Sequence, residues 1–285
     1  ISTQHKHDIR DTNIFSFYAT YGRHMTQSGT RAIIIAAGLG SRLQPYTDDC
    51  PKCMLDFGGR TLLQRQMDIY EACGVQDITI IRGYLAEKIN YGKVRYVENT
   101  DFPNNNILES LLYAEEQLVG DVVINYSDIL FEQRIVEQLL ASDKDISVVV
   151  DLDWQDYYIG RSDHPLGEAE NVTFDDAGRV RQIGKHLDHE DGELGEFIGM
   201  LRLSPVGAEL FKEHYHKARE QFLGKPFQRA ATFRKAYLTD LFQEMTDQGV
   251  TIDCVFIKKG WKEIDTVQDY TNAVQAFERA EAGGG

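Results

Sequence analysis

RAIIIAAGLGSRLQPYTDDCPKCMLDFGGR, residues 31–60, decides how the rest of the chain is read. Residues 32–36 form a continuous apolar run, as a strand buried on both faces of a parallel sheet requires. A glycine turn follows, then a loop carrying Arg42, Pro45, Pro51 and Lys52. A dinucleotide fingerprint needs three glycines, G-x-G-x-x-G, so that a helix starts directly on the pyrophosphate. Gly38 and Gly40 supply two, Leu43 stands in the third place, and Pro45 prevents an immediate long helix. A Walker motif also fails, because no G-K-[ST] follows. The residues instead suit close approach to a nucleotide at Gly38 and Gly40. Successive N–H groups there would make an anion nest. Arg42 is a fork for a pair of phosphate oxygens, and Lys52 is a compact charge able to reach the α-phosphate or a second substrate.

Outward from this stretch, strands and helices alternate. A helix is expected over 60–73, with Leu62, Leu63, Gln66, Met67 and Tyr70 on one face and Gly74 closing it. Strands are expected at 77–81, 93–98, 121–125, 146–152 and 252–257, and helices at 107–118, 131–140, 205–222 and 230–248. A last helix follows Trp261–Thr266. Such alternation implies crossover connections and an α/β fold with a mainly parallel central sheet and flanking helices. Residues 153–200, rich in Gly, Asp and His, read as a hairpin-rich insertion folded as a lid over the sheet's mouth. Residues 31–280 thus read as a single domain. Residues 1–30 read as an irregular extension, of which 1–24 could come from an expression vector, with a native start near Met25. Residues 281–285 read as a frayed end.

The chain has 285 residues and a net charge of −15, which argues against a nucleic-acid partner, since such binding needs a basic footprint. A small anionic ligand remains compatible, because local cations and backbone N–H groups suffice for it. The longest apolar run, 32–37, is far too short to span a membrane, and residues 1–30 contain no apolar leader segment. Four cysteines are few for this length, so a reducing, cytoplasmic setting is expected. Cys50 and Cys53 form a CxxC without a thioredoxin-like context or a second pair, and read as free thiols.

The motif A-A-G-x-G-x-R-L-x-P-x-T, then P-K, then G-x-x-x-L, stands here as Ala36, Ala37, Gly38, Gly40, Arg42, Leu43, Pro45 and Thr47, then Pro51-Lys52, then Gly59 to Leu63. It resembles the nucleotidylyltransferases with the Rossmann-like nucleotide-diphospho-sugar transferase fold, over roughly residues 31–280. The segments Asn104–Leu111, Gly195–Met200 and Trp261–Thr266 resemble most closely the cytidylyltransferases acting on 2-aminoethylphosphonate, other small phosphonates and phosphocholine. The resemblance implies CTP and a small phosphonate or phosphate monoester as partners, Mg²⁺ as cofactor and pyrophosphate as product. It implies that Arg42 and Lys52 are catalytic and that Ala36, Ala37, Gly38 and Gly40 bind the nucleotide.

The resemblance also implies a magnesium-binding aspartate at Asp128, where capping of the following helix is the alternative. Glu263 and Asp265, two apart in extended backbone, share a face and would complete an oxygen-rich site; Asp265 could instead cap the last helix. Lys185 matches a lysine that binds the acceptor phosphate in relatives, or is a surface residue. Glu196 could hold an acceptor ammonium or face solvent. Asn106 and Ser110 are candidates for base or ribose contact, with a cap for helix 107–118 as the alternative, and Gly83 for close approach to the base. Trp154, with Tyr157 and Tyr158, is an aromatic cage for a quaternary ammonium or ordinary packing, and Asp153 is a carboxylate for a primary amine. His164, His186 and His189 lack metal-ligand spacing and read as surface or lid residues. A homo-oligomer is left open, as are a sugar-1-phosphate nucleotidylyltransferase and a catalytically silent nucleotide-binding regulator.

Overall fold

The computed structural model describes residues 29–187 and 194–283. The expectations for residues 1–28, for His189 and for the last two residues lie outside the described residues. The elements in chain order begin with β1 (Arg31–Ala36), α1 (Leu62–Ala72), β2 (Asp77–Arg82), β3 (Arg95–Glu98), α2 (Ile107–Leu112) and β4 (Val122–Tyr126). There follow β5 (Ile129–Phe131), α3 (Gln133–Leu140), β6 (Ile146–Asp151), α4 (Trp154–Tyr157), β7 (Asn171–Phe174) and β8 (Val180–Gly184). The chain ends with β9 (Leu194–Leu203), α5 (Pro205–Phe222), α6 (Leu238–Asp247), β10 (Asp253–Ile257), β11 (Trp261–Glu263) and α7 (Val267–Gly283).

The main sheet runs β10-β6-β9-β4-β1-β2-β3. Pairings β1–β2, β1–β4, β2–β3 and β6–β10 are parallel, and β9 runs antiparallel to both of its neighbours in this order, β4 and β6. The apolar run of β1 is explained by two cores. Ile33 and Ile35 pack on one face with Leu201, Phe211 and Phe242. Ala32 and Ile34 pack on the other with Tyr70, Ile135 and Leu139. A strand covered on both faces has no polar side to alternate with.

Helix α1 buries Leu62, Leu63, Gln66, Met67 and Tyr70, as its periodicity requires, and the Thr61 hydroxyl caps it by accepting from Gln64 N. Helix α2 stops at Leu112 rather than 118, and α6 begins at Leu238 rather than 230; two further departures shape the site. Residue 131 was expected to open a helix. Instead Phe131 ends β5, which pairs antiparallel with β11, Phe131 opposite Trp261 and Ile129 opposite Glu263. The second departure concerns the insertion over 153–200. Its last segment is the start of β9, buried in the central sheet from Gly195 onward, and the β7–β8 hairpin extends that sheet through β7–β9 pairing. The apolar pattern of 194–203 is that of an interior strand, so the lid reading does not extend to it.

Candidate active site

The loop after β1 turns at Gly40, whose φ of +64° lies in the left-handed region that favours glycine. The Thr47 hydroxyl donates to the Gly40 carbonyl at 2.8 Å and fixes the turn. Only a short turn, Ser41–Leu43, fits before Pro45. A Cβ at Gly38 would meet nothing within 4 Å. The loop borders a cavity of about 340 Å³ that Arg42, Lys52, Asn106, Ser110, Asp128 and Asp265 also line. Ala36, Ala37, Gly38 and Gly40 all reach this cavity. It opens at the carboxyl ends of the parallel strands, where open α/β sheets bind ligands.

Asp128 follows β4. Its carbonyl accepts from Ile264 N at 2.8 Å, so the β5–β11 pairing carries Glu263 and Asp265 to its side. The Lys52 ammonium lies between the two aspartates, 2.8 Å from Asp128 Oδ2 and 2.6 Å from Asp265 Oδ1. Burial alone would lower its pKa, but the charges of Asp128 and Asp265 outweigh that and raise it, so the amine stays protonated. Asp265 is pulled below the usual carboxylate range. Burial opposes this, and Lys52, His164 and Arg42 overcome it. Arg42 reaches Asp265 Oδ2 at 2.6 Å while remaining half exposed. Burial, with the neighbouring charges of Asp265 and Asp128, pushes the Glu263 carboxyl up.

The capping alternatives fail. Glu132, not Asp128, stands at the start of α3. The Asp269 carboxylate, not that of Asp265, accepts from the backbone N–H groups of Asp265 and Thr266 ahead of α7.

The other expected residues fall in different places. Asn106 and Ser110 line the cavity; Asn106 donates to the Lys235 carbonyl, and Ser110 accepts from Asn99 at 2.8 Å. At Gly83 a Cβ would sit 2.6 Å from the Ala37 carbonyl oxygen, so the close approach seen there is to the start of the glycine loop. Lys185 is no surface lysine: it pairs with Glu168 at 2.8 Å and lies 4.4 Å over the Tyr237 ring. Glu196 does not face solvent. It is buried in β9, where Tyr158 OH donates to Oε1 at 2.6 Å and Oε2 has no partner. Burial pushes its carboxyl well up.

Trp154 forms no open cage. It is buried against Tyr158 and Ala169 and donates its indole N–H to the Leu194 carbonyl at 3.2 Å. Asp153 borders a separate depression with Trp154, Gln155 and Asp156, away from the Lys52 cavity. Cys50 and Cys53 are free thiols.

Sequence reading missed two residues. His164, expected at the surface, is buried, with Nδ1 3.3 Å from Asp265 Oδ2 and Nε2 3.6 Å from Glu263 Oε2. The Arg161 side chain is 5% exposed, holds Asp269 with a two-pronged contact at 2.8 and 3.0 Å, and reaches Glu263 at 3.2 Å. Its guanidinium lies 4.4 Å over the Tyr157 ring. The one local signal was Tyr-Tyr followed closely by Arg and His within a polar segment, and their partners lie about a hundred residues on.

A glycine turn, an arginine fork and a buried ammonium between carboxylates at the strand ends, on this sheet, define a nucleotidyltransferase of the nucleotide-diphospho-sugar transferase fold. The chain belongs to the MobA-like NTP transferase family, whose domain matches residues 32–229. It is 25% identical over 249 residues to the CTP:phosphoglutamine cytidylyltransferase of Campylobacter jejuni, covering 84% of this chain and 96% of that one. It is 30% identical over 200 residues to the 2-aminoethylphosphonate cytidylyltransferase of Lancefieldella rimae, covering 67% and 74%. The solved CTP:phosphocholine cytidylyltransferase of Streptococcus pneumoniae shares the fold, with a TM-score of 0.65 and 23% identity over 86% of this chain and 98% of that one. Among the described residues no helix is long and apolar enough to cross a membrane.

Proposed function

We propose that the chain transfers CMP from CTP to a small phosphonate, 2-aminoethylphosphonate first among them, and releases pyrophosphate. The observation that carries this reading is the Lys52 ammonium, held between Asp128 and Asp265 on the floor of the glycine-loop cavity. The cytidylyltransferase names of the relatives support CTP as donor. In the reaction, an acceptor phosphonate oxygen forms a bond to the α-phosphorus while the bond from that phosphorus to the β-bridging oxygen breaks. The acceptor oxygen is already anionic near neutral pH, so no base is required, and a protonated Lys52 could not be one. Positioning and charge neutralisation carry the rate. Arg42, half exposed at the cavity edge, would turn from Asp265 to the β- and γ-phosphates, and Lys52 would neutralise the α-phosphate.

The acids at the site fit a divalent cation such as Mg²⁺. Asp128 Oδ1 is buried without a hydrogen-bond partner, and the neighbouring carboxyls supply the oxygen ligands such an ion takes. Asp265 and Glu263 would hold it, with Asp128 close by on Lys52. Once bound, it would polarise the phosphoryl oxygens.

On the acceptor side, the packed Trp154 favours a primary amine over a quaternary ammonium, which needs an open aromatic cage. The unpartnered Oε2 of Glu196 suits such an amine, and Lys185 would take the phosphonate. The test is pyrophosphate release in the presence of Mg²⁺, crossing CTP, UTP, ATP and GTP with 2-aminoethylphosphonate, phosphocholine and glucose-1-phosphate. Release with CTP and the aminophosphonate is expected. Release with phosphocholine alone would overturn the acceptor, and release with another nucleotide in place of CTP would overturn the donor.

A further inference from the structure

The segment between α4 and β7 brings an imidazole to the acids. His164 is 3% exposed, and its Nδ1, buried with no hydrogen-bond partner, is aimed at Asp265 Oδ2. One donor atom from each of His164, Glu263 and Asp265 lies within 4.8 Å of the others. An ion with ligands at about 2.1 Å holds neighbouring donors about 3.0–3.4 Å apart, so the two carboxylates would draw in toward the imidazole to close the set around one cation. Asp128 stands outside the triad, with Oδ2 on Lys52. The geometry points to His164 as a ligand of the divalent cation with Glu263 and Asp265, in a site that prefers manganese(II) or a similar imidazole-accepting ion to magnesium.

The chemistry follows from the donors. Magnesium takes oxygen ligands and keeps its waters, whereas imidazole nitrogen suits first-row transition ions. Arg42 covers Asp265 Oδ2 at 2.6 Å but is half exposed, so it can leave that oxygen to the ion when it turns to a triphosphate. Because His164 and Arg161 lie on the same covering segment, an ion on His164 fastens that segment to the β11–α7 loop. The ion's use in catalysis rests on the nucleotidyl-transfer reading; the ligand set rests on the triad alone.

The test loads the full chain with manganese(II), without nucleotide, and records pulsed electron paramagnetic resonance for modulation from a directly bound nitrogen. The free-ion signal measures affinity, with Mg²⁺ as competitor. Nitrogen modulation is expected in the wild type and absent in His164→Gln. That variant should bind manganese about tenfold or more weaker, and magnesium nearly as before. Bound manganese without nitrogen modulation in the wild type would overturn the inference, and that reading needs no variant to fold. Equal displacement of manganese by magnesium would also overturn it. A nitrogen signal without pyrophosphate release would sink only the transferase reading; release without the signal would sink only this one.

Discussion

On the proposed function, the nucleotide side and the acceptor side of the site are built differently. On the nucleotide side, the glycine turn, Arg42 and Lys52 come from one stretch of 15 positions directly after β1. On the acceptor side, each functional contact is a long-range tie: Arg161 to Asp269 spans 108 positions, and Tyr158 to Glu196 spans 38. A phosphate-binding loop must bend its own backbone around the ligand, so its chemistry is written in consecutive residues. An acceptor pocket only needs side chains to converge, and covering segments from several elements can supply them. The first kind of site is therefore open to sequence reading, and the second shows itself only in the folded chain.

Breaking the nucleotide side should have the largest effect. Lys52→Ala removes the cation that faces the transferred phosphoryl group, and kcat for pyrophosphate release should fall about 10³-fold while circular dichroism stays native. A variant that keeps wild-type turnover would remove Lys52 from the chemistry. Breaking the acceptor side should act first on stability. Arg161→Ala strands the buried Asp269 carboxylate, and the urea midpoint should fall by the equivalent of roughly 3–5 kcal/mol. Arg161→Lys should recover only part of that, because a single ammonium cannot make the two-pronged contact. An unchanged midpoint would mean the tie is not structural.

The smallest effect is a pH dependence where the two sides meet. Glu170 is buried; Thr239 OH donates to its Oε1 at 2.5 Å, and Tyr126 OH, from the nucleotide side, donates to its Oε2 at 3.3 Å. Burial pushes its carboxyl up to about 7 from an ordinary 4.5. Between those values the folded chain keeps a proton that the unfolded chain has lost. The folded state then binds more protons, so stability is full below the lower value and falls as pH rises toward 7. Thermal melts of the wild type across that window should show the fall, and Glu170→Gln should flatten it. Identical slopes would remove Glu170 from the account.

Much of the fold was legible from residue 31 onward. The run at 32–36, the face carrying Gln66 and Tyr70, and the alternation of strands and helices gave the parallel sheet without ambiguity, because burial on both faces leaves no polar period. Asp128, Glu263 and Asp265 were legible as a group, since strand ends and period-two spacing expose carboxylates together. What stayed hidden depended on pairing across distance. Phe131 read as helical because nothing local announces that β11 will pair with it. Residues 194–200 read as part of the lid because an antiparallel strand threaded between β4 and β6 has the same composition as a hairpin. Trp154 read as a cage candidate because an aromatic side chain looks alike in sequence whether it faces a ligand or the Leu194 carbonyl. His164 read as a lid residue because its partners are Glu263 and Asp265, on the far side of β9.

The central claim is that the Lys52 cavity joins a nucleotide α-phosphorus to an acceptor phosphonate. The direct test is phosphorus NMR of CTP and 2-aminoethylphosphonate incubated with the enzyme and a divalent cation. The account expects two mutually coupled resonances, one from the phosphonate and one from the cytidylyl phosphorus, appearing with an equal amount of pyrophosphate. CMP and pyrophosphate without a coupled pair would show hydrolysis instead of transfer and would contradict it.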